Sequence, residues 1–188
     1  ANQGHDNVSV LVNDGAGGFP ELRNYPVGLN PRPLCGHDFD GDGRLDLAAG
    51  RVDGVSLLRN DGEGGFAAAG EIPVPGAVSA LAVLDADGDG DVDLAAACWN
   101  ENRIWVARND GSGAFAAAAG HPVGTGPSGL VAAELNGDQT VDLAFPIWEL
   151  NRAEVLYNAA GAGVEAIAAP APGELRAFPN PCAGSATI

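Results

Sequence analysis

"DFDGDGRLDL" (residues 38–47) sets aspartates at alternate positions, Asp38, Asp40 and Asp42, follows them with Gly43 and closes on Asp46. The string returns as "DADGDGDVDL" (residues 85–94) and, weakened, as "ELNGDQTVDL" (residues 134–143), at offsets of 47 and 49 residues. Other landmarks move in step. "NDG" begins at Asn13, Asn60 and Asn109, with an eroded "NAAG" at Asn158. An aromatic stands six residues after each Asn, at Phe19, Phe66 and Phe115, and Val164 takes its place in the last copy. "PV" occurs at Pro26, Pro73 and Pro122, each Val lying 11 residues before the first acid of the next loop. Four landmarks on one period define a repeat protein.

The loop chemistry follows from the spacing. A form D-x-D-x-D-G-x-x-D offers carboxylates from positions one, three, five and nine, and a backbone carbonyl from position seven. Calcium takes six to eight oxygen ligands, with water completing the shell, so the donor set suits a hard cation. An EF-hand is excluded: its loop needs a bidentate Glu at position twelve and a helix on each side. Position twelve here is Ala49, and the flanks lack the apolar spacing of three and four residues that marks an amphipathic helix.

A period in the forties, rich in glycine turns and short apolar runs, lies in the propeller range. Each unit reads as four strands, typified by "SALAVL" (residues 79–84), "DLAAACW" (93–99), "RIWVAR" (103–108) and "AFAAAAGHPV" (114–123). The Asn-Asp-Gly after the third run is a hairpin signal, because these residues tolerate positive φ. Alanine propensity alone favours helix in the fourth run. Its alignment with "FPELRNYPV" (residues 19–27), which has no helical pattern, makes strand the better reading. The expected fold is all-β, with β-propeller-type four-stranded blades in about three and a half repeats. Residues 1–168 form the repeats, with units breaking near 48, 95 and 144; residues 169–188 are a Pro/Ala-rich linker and strand-like tail.

The combination "PVG…D-x-D-G-D-G-x-x-D-L-A" with "V-x-V-L-x-N-D-G-x-G-x-F" resembles the FG-GAP/VCBS-type repeats over roughly residues 1–168. That family includes the calcium-binding blades of integrin α-subunit propellers and many bacterial extracellular proteins. The resemblance implies that the acidic loop joins the first two strands of a blade and holds Ca²⁺. The implied ligands are Asp38, Asp40, Asp42, the Arg44 carbonyl and Asp46 at the first site. At the second they are Asp85, Asp87, Asp89, the Asp91 carbonyl and Asp93. At the third they are Glu134, Asn136, Asp138, the Thr140 carbonyl and Asp142. The third departs from the pattern, with a longer Glu134 and with Gln139 in place of the turn glycine, and is expected to be weaker or empty.

Composition agrees with a turn-rich β protein: 188 residues, 46% hydrophobic, 28 glycines and 13 prolines. The formal net charge is −16, and 12 of the 25 acids sit in the three loops. Such a charge opposes nucleic acid and anionic membranes, and no run approaches membrane-spanning length. The chain has no Met and no leader-like start, which suits a processed or trimmed chain. Cys35, Cys98 and Cys182 are odd in number and stand at non-equivalent repeat positions. In an oxidising compartment at least one is free or paired between chains; Cys35 and Cys98 read as buried small hydrophobes.

Aligned by repeat, the chain starts at the tail of a second strand, mid-blade. Three and a half blades do not close a ring of the usual four to eight. That leaves a piece of a longer propeller, completion by another chain, or open stacking. The tail "FPNP…SATI" (residues 178–188) resembles the opening of the sorting domain of type IX secreted bacterial proteins, which implies export to a bacterial surface or beyond.

The residues are compatible with three functions. The leading expectation is a non-catalytic, calcium-stabilised extracellular scaffold for adhesion or assembly, polymerising through unpaired blade edges. The alternative is a glycan-binding module, in which Trp99 and Trp148, each six residues after the last Asp of its loop, stack on a sugar beside Asn100, Asn102 and Asn151. A polysaccharide-active enzyme, of which this chain is a fragment, is the third. His5, His37 and His121 occupy unrelated repeat positions and no nucleophile motif is present, so no catalytic residue is assigned.

Overall fold

The computed structural model describes residues 1–159 and 163–165; the tail motif, Cys182 and the linker lie outside these. The described residues form fourteen strands in four antiparallel sheets. A two-stranded half-blade pairs β1 (Asn7–Val12) with β2 (Glu21–Pro26). Blade 1 holds β3 (Leu34–His37), β4 (Asp46–Arg51), β5 (Gly54–Asn60) and β6 (Phe66–Pro73). Blade 2 holds β7 (Val78–Leu84), β8 (Asp93–Cys98), β9 (Arg103–Ala107) and β10 (Ala119–Pro122). Blade 3 holds β11 (Val131–Ala133), β12 (Asp142–Ile147), β13 (Arg152–Ala159) and β14 (Gly163–Glu165). Each full blade pairs its strands in chain order, and the first strands β3, β7 and β11 touch one another in succession. That is the radial arrangement of propeller blades, and among the described residues it does not close into a ring.

The central strands are apolar at consecutive positions, as in β8 and β5, and successive side chains point to opposite faces, so these sheets are buried on both sides and the core lies in the joints between sheets. Val55, Leu57 and Ala48 of blade 1 meet Leu94, Ala96 and Ala107 of blade 2. Ala95, Ala97, Ile104 and Val106 turn the other way, onto Leu143, Phe145, Ile147 and Leu156 of blade 3. Val8 and Val27 meet Ala49 and Leu58 at the first joint. The alanines of β4 and β8 (Ala48, Ala49, Ala95, Ala96 and Ala97) are explained by this: facing sheets approach closely, and small side chains fill the gap. At Gly50 even a Cβ would fall 2.6 Å from Pro33 and Val78 atoms, so no larger residue fits. Cys98 is buried in the joint between blades 1 and 2 and Cys35 packs against it; burial pushes their thiols up to about 12 and about 11.

The fourth strand of blade 2 is shorter than its sequence suggests. Between residues 109 and 119 the pairing is reduced to the Asn109–Phe115 bridge and an Ala116 N–H bond to the Arg108 carbonyl. Phe115 instead packs edge-on against Phe39 of blade 1, with ring centroids 5.7 Å apart. Phe66 of blade 1 makes the same edge-on contact, to Tyr25, while the alanine-rich β6 pairs from Phe66 to Pro73, so neither the contact nor the alanines alone account for the shorter β10.

Among the described residues, large apolar side chains are exposed at both ends of the array. Leu11 is 57% exposed, whereas Leu58, its counterpart in blade 1, is 2% exposed beneath the half-blade. Phe19 and Leu22 are exposed beside Leu11, and Val131 and Leu135 on the outer side of blade 3.

Candidate metal centre

The three acidic loops join β3 to β4, β7 to β8 and β11 to β12, where sequence spacing put them. Their backbone is curled by short side-chain bonds. Asp38 accepts the N–H groups of Asp42 (3.2 Å) and Gly43 (2.7 Å), and Asp85 accepts those of Gly88 (2.7 Å) and Gly90 (3.0 Å). Burial tends to raise the Asp38 pKa, but the surrounding backbone N–H bonds outweigh it and hold the carboxyl below its ordinary value. Gly43 and Gly90 turn the chain with φ of +83° and +92°; Gln139 adopts +71° at the same place in the third loop.

These turns bring carboxylates together. One oxygen from each of Asp38, Asp40 and Asp42 lies within 4.8 Å of the others, and the same holds for Asp85, Asp87 and Asp89. Calcium–oxygen distances of about 2.3–2.6 Å place oxygens on opposite sides of an ion some 5 Å apart, so both trios fit that cation. The third loop is built differently. Asn136 donates its amide to Asp138 at 3.0 Å, Glu134 folds back on the Asn136 N–H at 2.9 Å, and Asp138 also accepts the Thr140 hydroxyl at 2.6 Å. Arg44, Asp91 and Thr140, candidates through their carbonyls, hold the seventh positions of their loops.

The ninth-position aspartates stand apart. Asp93 is 0% exposed; its two oxygens accept the Ala86 N–H (2.9 Å) and the Asn109 N–H (2.7 Å). Asp46 does the same with Phe39 (3.3 Å) and Asn60 (2.8 Å), and Asp142 with Leu135 (3.0 Å) and Asn158 (2.8 Å). Each thus staples the start of its loop to the end of the blade's third strand. Burial raises all three pKa values, with the other loop acids adding to the rise and the N–H bonds opposing it. Each oxygen retains a lone pair, so the staple and metal ligation are compatible.

Asn109 and Asn158, repeat landmarks in the sequence, have a second role at these loops that spacing did not reveal, and so do two arginines. The Asn109 side chain donates to the Phe39 carbonyl of the preceding blade's loop (2.8 Å), and Asn158 donates to the Ala86 carbonyl (3.0 Å). A signal was available: Asn158 persists in "NAAG", where the Asp-Gly of the hairpin turn is gone, so the Asn serves more than the turn. Arginines at the ends of the third strands also reach the loops: Arg59 of β5 to Asp40 at 2.7 Å, and Arg108, just past β9, to Asp87 at 3.5 Å. Trp99 and Trp148 meet across blades 2 and 3, with centroids 6.3 Å apart. Asn102 faces back to the Gly126 N–H at 3.0 Å.

Two overlapping stretches, residues 38–96 and 85–145, match the family model described as FG-GAP-like repeat. Together they span more than half of the chain, and the chain belongs to the FG-GAP-like repeat family. Among solved structures it is similar to a chain of the Photorhabdus luminescens Tc holotoxin pore, at 18% identity and a TM-score of 0.36. The match covers 88% of this chain and 11% of that one, so the chain spans about a tenth of that protein's length. No curated protein matches it.

Proposed function

We propose that the chain is a non-catalytic, calcium-stabilised repeat scaffold that works outside the cell, in adhesion or assembly. The observation that carries this reading is the position of the two carboxylate trios: each loop that suits calcium also forms the joint to the next blade. Asp38, Asp40, Asp42 and Asp46, with the Arg44 carbonyl, hold one ion; Asp85, Asp87, Asp89 and Asp93, with the Asp91 carbonyl, hold a second. Glu134, Asn136, Asp138, Asp142 and the Thr140 carbonyl form a weaker third site. Bound calcium supplies charge neutralisation, so that loops that repel themselves when empty become ordered and binding adds to folding free energy. Extracellular modules bind near 10⁻⁴–10⁻³ M, roughly the calcium level of that environment.

Family membership supports the extracellular placement, and the tail motif supports export to a bacterial surface. Among the described residues, no helix is long and apolar enough to cross a membrane. The exposed Leu11, Phe19 and Leu22 at one end and Val131 and Leu135 at the other support association with a further blade, from a second copy or from more of a longer propeller. Light scattering in millimolar calcium, repeated after chelation, tests the reading. Calcium-dependent stability with large species that dissolve on chelation is expected. A chain that melts at the same temperature with and without calcium overturns the calcium part, and a monomer at all concentrations overturns self-association.

A glycan-binding role is the second reading. Trp148 is 69% exposed beside Trp99 and offers an aromatic face to a sugar ring. Loss of glycan-array signal in Trp148→Ala, with the melting temperature unchanged, is the result that favours it.

A further inference from the structure

Each of the first two acidic loops is met by an arginine from the end of its blade's third strand, at unequal strength, and in loop 1 Arg44 is also ion-paired with Asp42. Arg59, on β5, places its Nε 2.7 Å from Asp40 Oδ2, and the Asp40 side chain is only 9% exposed. The same guanidinium donates from Nη2 to the Ser112 carbonyl at 3.2 Å, in the hairpin turn of the next blade. That turn sits on the loop: a Cβ at Gly113 would lie 2.9 Å from Arg59 Nη2 and 3.4 Å from the Asp40 Cβ. In blade 2 the equivalent Arg108 stands 3.5 Å from Asp87, and both groups are more open to water. In blade 3 the equivalent residue is Tyr157, so no arginine is supplied there.

We propose that Arg59 is a built-in competitor for the metal at the first loop, and a clasp that ties that loop's charge state to the joint between blades 1 and 2. This inference rests on the calcium reading above. Asp40 is the loop's third-position ligand, and its Oδ2 is shared with a fixed positive charge. A divalent cation beside that carboxylate is repelled by the guanidinium and weakens its hold on Asp40. Part of each calcium ion's binding energy at loop 1 is therefore spent against Arg59, whereas loop 2 loses little to its longer, more solvated pair. Loop 2 fills first. When loop 1 is empty, Arg59 offsets some of the carboxylate repulsion and keeps the Ser112 turn seated, so the joint does not depend on metal alone.

The test is calorimetric titration of the full chain with calcium chloride, one loop at a time. Asp89→Asn silences loop 2 so that loop 1 is read alone, and Asp42→Asn does the reverse. Loop 1 is expected to bind more weakly than loop 2. Arg59→Gln in the Asp89→Asn background is expected to tighten loop 1 by roughly three- to tenfold, given one partly screened charge near the ion. Arg59→Lys, which keeps the charge, is expected to restore weak binding. Arg59→Gln is also expected to lower the melting temperature in chelator, where the clasp acts without metal. Unchanged or weaker calcium binding in Arg59→Gln overturns the proposal while leaving the calcium reading intact. If Arg59→Gln does not fold, the two single-loop chains decide: weaker calcium binding at loop 1 than at loop 2 supports the mechanism, and equal or tighter binding at loop 1 overturns it. A wild-type chain that takes up no calcium removes both readings together.

Discussion

Asn109 donates its side-chain amide to the carbonyl of Phe39, 70 residues earlier, at 2.8 Å, across the joint between two sheets. The same amide also reaches the Val92 carbonyl of its own blade at 3.2 Å. Its repeat counterpart Asn60 makes only the second type of contact, to Leu45 at 3.1 Å. Apolar burial holds the blades together, since each fully buried Leu or Val contributes about 1.5–3 kcal/mol. The net gain of one amide bond is smaller, about 1 kcal/mol, but it is directional and so fixes how one blade sits on the next.

Asn109→Ala is therefore expected to cost about 1–3 kcal/mol, because it leaves two carbonyls short of a partner in a buried site. Asn60→Ala is expected to cost less, as its side-chain bonds to the Leu45 carbonyl and the Gly62 N–H are exposed and stay within one blade. Urea midpoints of the two variants check the order, and equal losses would remove the interblade role.

Asp93 and Asp89 separate structure from metal. Asp93→Ala strands two buried N–H groups and is expected to lose about 2–4 kcal/mol even in chelator. Asp89→Asn is expected to leave the chelated protein unchanged and to remove part of the stabilisation calcium gives. Melting curves with and without calcium read both effects in one experiment.

Gln139 holds φ at +71°, where glycine sits in the other two loops. A non-glycine residue there costs about 1–2 kcal/mol, partly offset by the greater freedom glycine has when unfolded. Gln139→Gly is expected to stabilise the protein by about 0.5–1 kcal/mol. A chemical denaturation curve that moves the other way would show the strain is relieved elsewhere.

His121 supplies a pH dependence. Burial, aided by the nearby Arg103 charge, holds its pKa below the ordinary imidazole value. The folded state therefore takes up its proton less readily than the unfolded state. The resulting stability is present above pH 6.5 and declines as pH falls through the lowered folded value. His121→Gln is expected to flatten the change in urea midpoint between pH 7.5 and 5.5; an unaltered slope assigns it to other groups.

Most of the site was legible because its parts are local. A D-x-D-x-D-G-x-x-D string sets its own turns through bonds spanning two to five residues, so the carboxylate trios follow from sequence spacing alone. The strands were legible for the same reason, as short apolar runs and Asn-Asp-Gly turns act over a few residues. The shortened β10 was not, because its alanine-rich segment reads like that of β6, which pairs from Phe66 to Pro73. Nor was the second task of the ninth-position aspartates: their spacing marks them as ligands, but their burial depends on where the third strand returns.

The sequence by itself determined that this is a repeat of four-stranded sheets with acidic loops at a fixed place in each, since periodicity and turn chemistry are properties of neighbouring residues. Only the tertiary structure decided that each loop is also a joint. Asn109 and Phe39, Arg59 and Ser112, lie far apart in the chain and meet because two sheets pack face to face. No pattern of nearby residues encodes a contact made by the stacking of whole blades.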